Sequence, residues 1–282
     1  MLSATMRKIL AMAAFAGARA ILLGQTLQYD VSSISGGYAY NINGSAADPI
    51  AGDLTRIAEA GRLTADGAGD VNGTDSVMVA GSLIRRTFTG TYTINGDGTG
   101  VFVLNPSWGP PIHADFVAGE GGRILRFVLT DYGNTISGLM EAQQTTRQPP
   151  PPQGYSAAAL NGAYDYRIGG SGVDFFGNVI PIREIGRLTT DGAGNITGSS
   201  TVSLNGSAVK RTLSGVYFIN ADGSGMATLY PSWGPPIDMD LFVSANGLKA
   251  EFVVTDYGDT LSGAMTADAP AIAAARPAQY GT

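Results

Sequence analysis

The chain of 282 residues contains no cysteine and only one histidine, and these two scarcities exclude several kinds of site. Without cysteine there is no disulfide, no thiolate nucleophile and no cysteine-based zinc site. The single histidine, His113, has Asp238 as its counterpart in a second copy of the surrounding sequence. We therefore expect no histidine-based metal site, no repeated catalytic histidine, no metal and no cofactor.

Charge is also scarce, at 14% of residues, and it is unbalanced towards the acidic side. The net charge is −6 and the pI is about 4.7, with no cluster of basic residues anywhere in the sequence. A protein that binds nucleic acid or an anionic membrane surface needs such a basic patch. The sequence therefore predicts no nucleic-acid partner.

Long apolar runs are missing apart from one short stretch at the N-terminus. Arg7 and Lys8 precede an apolar run over positions 9–18, and small residues flank Arg19 at positions 18 and 20. This arrangement is typical of a cleaved export signal, although an amphipathic N-terminal helix is the alternative. The run is too short to cross a membrane, and no later segment could do so as a helix. We expect a signal peptide over 1–20 and an extracytoplasmic protein, secreted or periplasmic.

The sequence is organised by a long internal duplication. The heptapeptide PSWGPPI at positions 106–112 returns unchanged at 231–237, and the two copies hold both tryptophans of the chain. About half of the positions in 59–140 are identical to those 125 residues later, without a gap. A period of this length indicates a duplicated domain, because solenoid repeats are only about 20–50 residues long.

Composition places the domain boundaries. Four consecutive prolines at 149–152 favour a stiff polyproline linker. The predicted organisation is a first domain over 28–143, a linker over 144–154, a second domain over 155–268 and a disordered tail over 269–282.

Each copy shows strand after strand. Phe88, Tyr92 and Ile94 share one face of a period-two pattern, with threonines on the other face, and the glycine-rich turn at 95–100 follows. About eight such runs occur per copy, and most of the connections are short. The sequence thus predicts an all-β protein of two tandem, homologous, antiparallel up-and-down barrels, with β-sandwiches as the alternative. No helix longer than one or two turns is expected after the signal.

Turn motifs carry a resemblance to known proteins. Gly-x-Tyr at 36–38, Asp-Gly-x-Gly at 66–69 and 97–100, and the closing segment 131–138, each with a second-copy counterpart, are similar to uncharacterised, exported, Gly-rich β-repeat proteins of environmental bacteria. The strand count resembles calycin-like barrels of the lipocalin and allene oxide cyclase type. This resemblance implies a closed barrel that holds a small apolar molecule, or a shaped cavity that catalyses an isomerisation. Tyr38 and Tyr164 stand where lipocalins have tryptophan.

Four pairs of repeated residues are candidates for ligand binding: Trp108 and Trp233, Arg86 and Arg211, Asp131 and Asp256, Tyr132 and Tyr257. The tryptophans either form exposed platforms for sugars or close one end of each barrel, and the second interpretation is favoured. The arginines and aspartates are predicted at a barrel mouth, where they orient a polar ligand or, more simply, pair with each other. The tyrosines are predicted to pack over a barrel end.

Other charged positions have simpler interpretations. Each Asp-Gly-x-Gly turn offers too few carboxylates for a calcium loop and is interpreted as a hairpin. Arg126 has Glu251 as its counterpart, and this reversal of charge predicts a solvated face.

No catalytic constellation is found, so the protein is more readily a binding protein than an enzyme. The function predicted is non-catalytic binding of a small apolar or amphipathic molecule, or of a glycan. The alternatives are a structural or adhesive cell-surface module, and a cofactor-free isomerase or cyclase of the allene oxide cyclase type.

Overall fold

The computed structural model describes residues 28–47, 54–131, 133–143, 154–174 and 176–268. The predicted signal, nearly all of the predicted linker, the tail and Tyr132 lie outside these ranges. The described residues form two closed antiparallel barrels of eight strands each, which confirms the predicted fold class over the sandwich alternative. None of the described helices is long and apolar enough to cross a membrane.

Both barrels are simple meanders in which each strand pairs with the next and the last pairs with the first. The strands of the first barrel are β1 (Ser35–Ala47), β2 (Leu54–Asp66), β3 (Asp70–Val79), β4 (Ser82–Ile94), β5 (Thr99–Pro106), β6 (Ile112–Gly119), β7 (Ile124–Leu129) and β8 (Asn134–Ala142). Those of the second are β9 (Asn161–Val173), β10 (Val179–Asp191), β11 (Asn195–Leu204), β12 (Ser207–Ile219), β13 (Ser224–Pro231), β14 (Ile237–Ser244), β15 (Lys249–Val254) and β16 (Thr260–Ala267). The helices are single 3₁₀ turns at Val31–Ser33, Glu120–Gly122, Ala157–Ala159 and Ala245–Gly247.

Glycines inside the strands make room for large side chains in the barrel interior. Gly73, Gly100 and Gly138 lie directly opposite phenylalanines in the neighbouring strand, and each ring covers its glycine. An eight-stranded barrel has an interior only just wide enough for its own side chains. Alternating glycine with an aromatic ring therefore fills the barrel without overcrowding, and this explains part of the high glycine content.

Adding a single methyl group at one of these glycines should destabilise the first barrel. A Cβ at Gly100 would lie 2.3 Å from Cζ of Phe116, whereas a Cβ at Gly119 meets no atom closer than 3.8 Å. Because overpacking costs about 1–3 kcal/mol, we expect Gly100→Ala to lower the thermal midpoint clearly and Gly119→Ala to leave it nearly unchanged. Equal midpoints in circular dichroism melts of the two variants would contradict this packing.

The Asp-Gly-x-Gly segments are hairpin turns, as predicted. The Oδ1 atom of Asp66 accepts hydrogen bonds from the backbone N–H groups of Ala68, Gly69 and Asp70 at 2.7–3.0 Å. These bonds lower the pKa of Asp66, and Asp191 is held in the same way. Asp97 and Asp222 likewise accept backbone N–H bonds within their own turns, and Asp222 also pairs with Arg62 of the first barrel.

The two barrels pack directly on each other through a junction of apolar and polar contacts. Its apolar centre is formed by side chains of β1–β3 that pack against two side chains of the second barrel. The first barrel contributes Ala39, Ala58, Ala60 and Met78, and the second contributes Phe242 and Val253. Arg85 donates two hydrogen bonds to Asp240 at 2.7 and 2.9 Å, and Ser76 donates a third. The junction thus joins the outer face of β1–β4 to the outer face of β14–β16.

Burial in this junction corrects one prediction from the sequence. Arg126 is exposed, as a solvated face requires, but its counterpart Glu251 is only 1% exposed and accepts a hydrogen bond from Asn41 of the first barrel. Burial, reinforced by the negative charge of Glu141, raises the pKa of Glu251 to about 8. The two residues differ in charge because Glu251 lies on a face covered by the first barrel, whereas Arg126 lies on the corresponding open face of the first barrel.

Candidate functional site

The two tryptophan loops are the most prominent features shared by both barrels. Each loop connects two adjacent strands, β5 to β6 in the first barrel and β13 to β14 in the second. Trp108 and Trp233 are each 52% exposed. The favoured prediction that they close a barrel end as buried plugs is therefore wrong, because about half of each residue's surface faces solvent.

Each loop is fixed to its barrel by the same pair of contacts. In the first barrel, Nη1 of Arg86 donates to the carbonyl oxygen of Trp108 at 3.3 Å. The Oγ of the preceding Ser107 accepts from the backbone N–H of Thr87 at 3.1 Å. The second barrel repeats both contacts, at 3.2 and 3.1 Å. The loop backbone is thereby held while the indole stays accessible.

The arginine that holds the first loop belongs to a buried polar network inside the barrel. Nε of Arg86 donates to Asp75 at 2.9 Å and Nη2 donates to Glu59 at 3.0 Å. The hydroxyl of Tyr40 donates to Glu59 at 2.8 Å. Burial, with a further contribution from the charge of Asp75, raises the pKa of Glu59 well above its usual value. The network therefore encloses one arginine between two buried acids, and Tyr40 supplies a further donor to Glu59.

The second barrel builds the corresponding network with one acid instead of two. Arg211 donates to Glu184 through Nη2 at 2.7 Å, and Tyr166 donates to the same carboxylate at 2.7 Å. Ser200 occupies the position of Asp75. Each network thus pairs one buried arginine with at least one buried acid, as burial of ions requires.

The predicted pairing of these arginines with Asp131 and Asp256 is wrong. Asp131 instead accepts from the backbone N–H of His113 at 2.9 Å, and its Oδ1 lies 2.7 Å from Nδ1 of the same residue. Asp256 accepts from the N–H of Asp238 at 3.2 Å. Each aspartate follows a hairpin and fastens the start of that hairpin's first strand, β6 or β14, rather than meeting the arginine network.

Tyr257 also departs from expectation. Tyr257 is 93% exposed and does not pack over a barrel end. It follows a strand end in a turn that leads its ring away from the core. Tyr132, its counterpart, lies outside the described residues.

Side chains fill the barrel interior. The cavity inside the second barrel measures about 20 Å³ and is lined by residues such as Leu188, Leu229 and Phe252. In the first barrel, the rings of Phe102 and Phe116 stack at 4.6 Å between centroids. Ligand pockets commonly measure about 300–1,000 Å³, so the geometry favours contact on the outside of the barrels.

Comparison with known proteins adds no relative. The chain matches no protein-family model, and a search of curated proteins finds no similar sequence. The functional argument therefore rests on the geometry of the loops and of the barrels.

Sequence reasoning found the tryptophans and arginines but missed the partners of the arginines. Glu59 and Glu184 repeat in the sequence, as do Tyr40 and Tyr166. The strand register would have identified Asp75 as a partner of Arg86, because the two residues lie directly opposite each other on β3 and β4. An inward-facing acid one strand away was the signal available.

Proposed function

We propose that this protein is a non-catalytic binding protein that holds ring-shaped ligands, glycans foremost, on its two tryptophan loops. The observation that carries the proposal is the pair of half-exposed indoles, each on a backbone anchored by a buried arginine. Such an indole offers an apolar face for stacking and an N–H donor for a hydroxyl group. The rigid loop keeps the entropy lost on binding low.

Duplication supports this role, because two weak sites on one chain bind a multivalent glycan more tightly than either does alone. We further propose an extracytoplasmic location, where glycans are exposed. That location rests on the N-terminal sequence, with Arg7 and Lys8 ahead of the apolar run.

Isothermal titration against a panel of neutral, acidic and aminated oligosaccharides tests the proposal. For a monovalent ligand we expect two sites per chain, one site in Trp108→Ala or Trp233→Ala with an unchanged Kd, and no binding in the double variant. Loss of a stacking tryptophan typically weakens binding by 2 kcal/mol or more, or about 30-fold.

The matched control replaces an exposed aromatic residue away from both loops. Phe176 is 84% exposed and lies between β9 and β10, so Phe176→Ala should bind like the wild type. Circular dichroism confirms that each variant is folded. Binding that survives in the double tryptophan variant would place the site elsewhere and overturn the proposal.

A structural or adhesive module is the second candidate, and the filled interior of the second barrel favours it. In this case the barrels are rigid spacers that need no ligand. Co-sedimentation with isolated cell envelopes separates the two roles. Equal sedimentation of the wild type and the double tryptophan variant would favour the structural role.

The geometry gives no comparable support to an isomerase or cyclase. Arg86, beside which room for a substrate would be needed, is enclosed by Glu59 and Asp75 and donates to both. Its cation is used to hold the loop and to balance the buried acids.

A further inference from the structure

The junction inside the chain uses two different faces, and the duplication supplies each face twice. The first barrel contributes its outer β1–β4 face and the second its outer β14–β16 face. Because the barrels are duplicates, β9–β12 of the second barrel correspond to β1–β4 of the first. In the same way, β6–β8 of the first barrel correspond to β14–β16 of the second. Within the described residues, both equivalents are largely exposed. At one end of β9, however, Gly169 and Ser171 already accept hydrogen bonds from Asn43 and Arg56 of the first barrel, and Arg167 lines the edge of the β6–β8 groove.

The open β9–β12 face reproduces the wall of the junction. Its groove of about 850 Å³ includes Thr201, Lys210 and Arg211. The matching positions Ser76, Arg85 and Arg86 line the smaller groove of about 490 Å³ at the junction, where residues of the second barrel form the opposite wall. Corresponding residues thus line two grooves, one covered by the other barrel at the junction and one exposed on the β9–β12 face.

The open β6–β8 face carries apolar side chains where its counterpart is buried. Val117 and Val128 are 56% and 50% exposed and line a groove of about 850 Å³. Their counterparts are Phe242 and Val253, which are 4% and 0% exposed in the junction. The β9–β12 face also carries an exposed apolar side chain. Ile185, which is 66% exposed, occupies the position that Ala60 has in the junction.

The charges of the two open faces are complementary in the manner of the junction. Asp115 is the exposed counterpart of Asp240, and Lys210 is the exposed counterpart of Arg85. In the junction, those counterparts form a two-bond ion pair. A chain that repeated the junction with a second copy would bring Asp115 onto Lys210.

We propose that the β6–β8 face of one chain docks onto the β9–β12 face of a second copy of the same chain, repeating the internal junction between molecules. Such a contact is head-to-tail, so it leaves one free face of each kind and builds a ring or a filament. The proposal does not depend on the glycan role. It would, however, array the tryptophan loops at regular spacing and increase avidity.

The contact between chains should be weaker than the one within the chain. Arg126 and Arg167 stand where the junction has Glu251 and Asn41, so one hydrogen bond is replaced by two cations. We therefore expect concentration-dependent association between about 1 µM and 1 mM, with reversible exchange.

Sedimentation velocity and light scattering on the full chain test the proposal. The mass should rise with concentration above the 29.0 kDa of one chain and pass beyond two copies, or stop at a closed ring. Asp115→Lys and Lys210→Asp should each abolish the rise, because each places like charges across every junction between chains. An equimolar mixture of the two variants should restore it, because opposite charges then face each other at every junction.

The control is Asp70→Lys, an exposed aspartate on β3 outside both open faces, which should associate like the wild type. A wild-type chain that stays at the mass of one copy throughout this range would overturn the proposal. So would association that both charge reversals leave intact, or a mixture that fails to restore it. The glycan titration reads a different surface, so its failure would be recognised separately.

Discussion

Replacing Arg86 by methionine should destabilise the first barrel by about 3–5 kcal/mol, the usual cost of removing one partner of a buried ion pair. The variant leaves Glu59 and Asp75 buried at 4% and 3% exposure without their cation. It also removes the hydrogen bond to the carbonyl oxygen of Trp108. We therefore expect a lower unfolding midpoint in urea and a changed Trp108 fluorescence already in the folded state.

The pH dependence of this variant identifies the cause. The charge of Arg86 lowers the pKa of Glu59 in the wild type, so its removal favours the protonated form of Glu59 in the folded barrel, and the loss of stability should shrink as the pH is lowered. Arg187→Met is the matched control, because Arg187 is half-exposed and makes only surface ion pairs with Asp165 and Asp268, which are worth about 0–1 kcal/mol. A small, pH-independent effect of Arg86→Met would contradict the network.

The second large effect concerns the junction and pH. Glu251 ionises near 4.5 in the unfolded chain, but burial beside Glu141 raises its pKa to about 8 in the folded protein. Below pH 4.5 it is protonated in both states. Between these values the folded state keeps a proton that the unfolded state releases, so stability falls as the pH rises, by an amount on the order of a few kcal/mol at pH 8.

Glu251→Gln removes this titration, while the amide oxygen of the new side chain can still accept a hydrogen bond from Asn41. We expect the variant to be more stable than the wild type at pH 8 and to lose less stability between pH 5 and 8. Part of the slope should remain, because Glu59 is buried in the same way. The exposed Glu120 gives the control: Glu120→Gln should keep the wild-type slope. Parallel curves for the wild type and Glu251→Gln would show that the junction does not hold a protonated acid.

The sequence predicted most of the fold, because the physics involved is local. Alternation on β4 places Phe88 and Tyr92 inward, and glycine-rich turns connect neighbouring strands, so a meander follows from residues close in sequence. Closure then follows from eight strands with one apolar face. The glycine and ring pairs such as Gly100 and Phe116 depend on register, which the pattern alone leaves open.

The site was predicted less well, since its parts come from separate strands and from the second barrel. Arg86 was placed correctly on the inner face, but its partners lie on β2 and β3 rather than at Asp131. Glu251 could not be interpreted from its own copy, because the first barrel is what buries it. Trp108 lies in the connection between β5 and β6, and strand periodicity does not report the exposure of a residue outside the strands.

Intrinsic tryptophan fluorescence with acrylamide quenching measures whether both indoles are accessible to solvent on their anchored loops. Trp108 and Trp233 are the only tryptophans in the chain, so Trp108→Phe and Trp233→Phe isolate each loop. The structure predicts red-shifted emission that acrylamide quenches equally in both variants, and protection from quenching by the glycan that binds. A blue-shifted emission that acrylamide does not quench would mean that the indoles are buried, and would contradict the account.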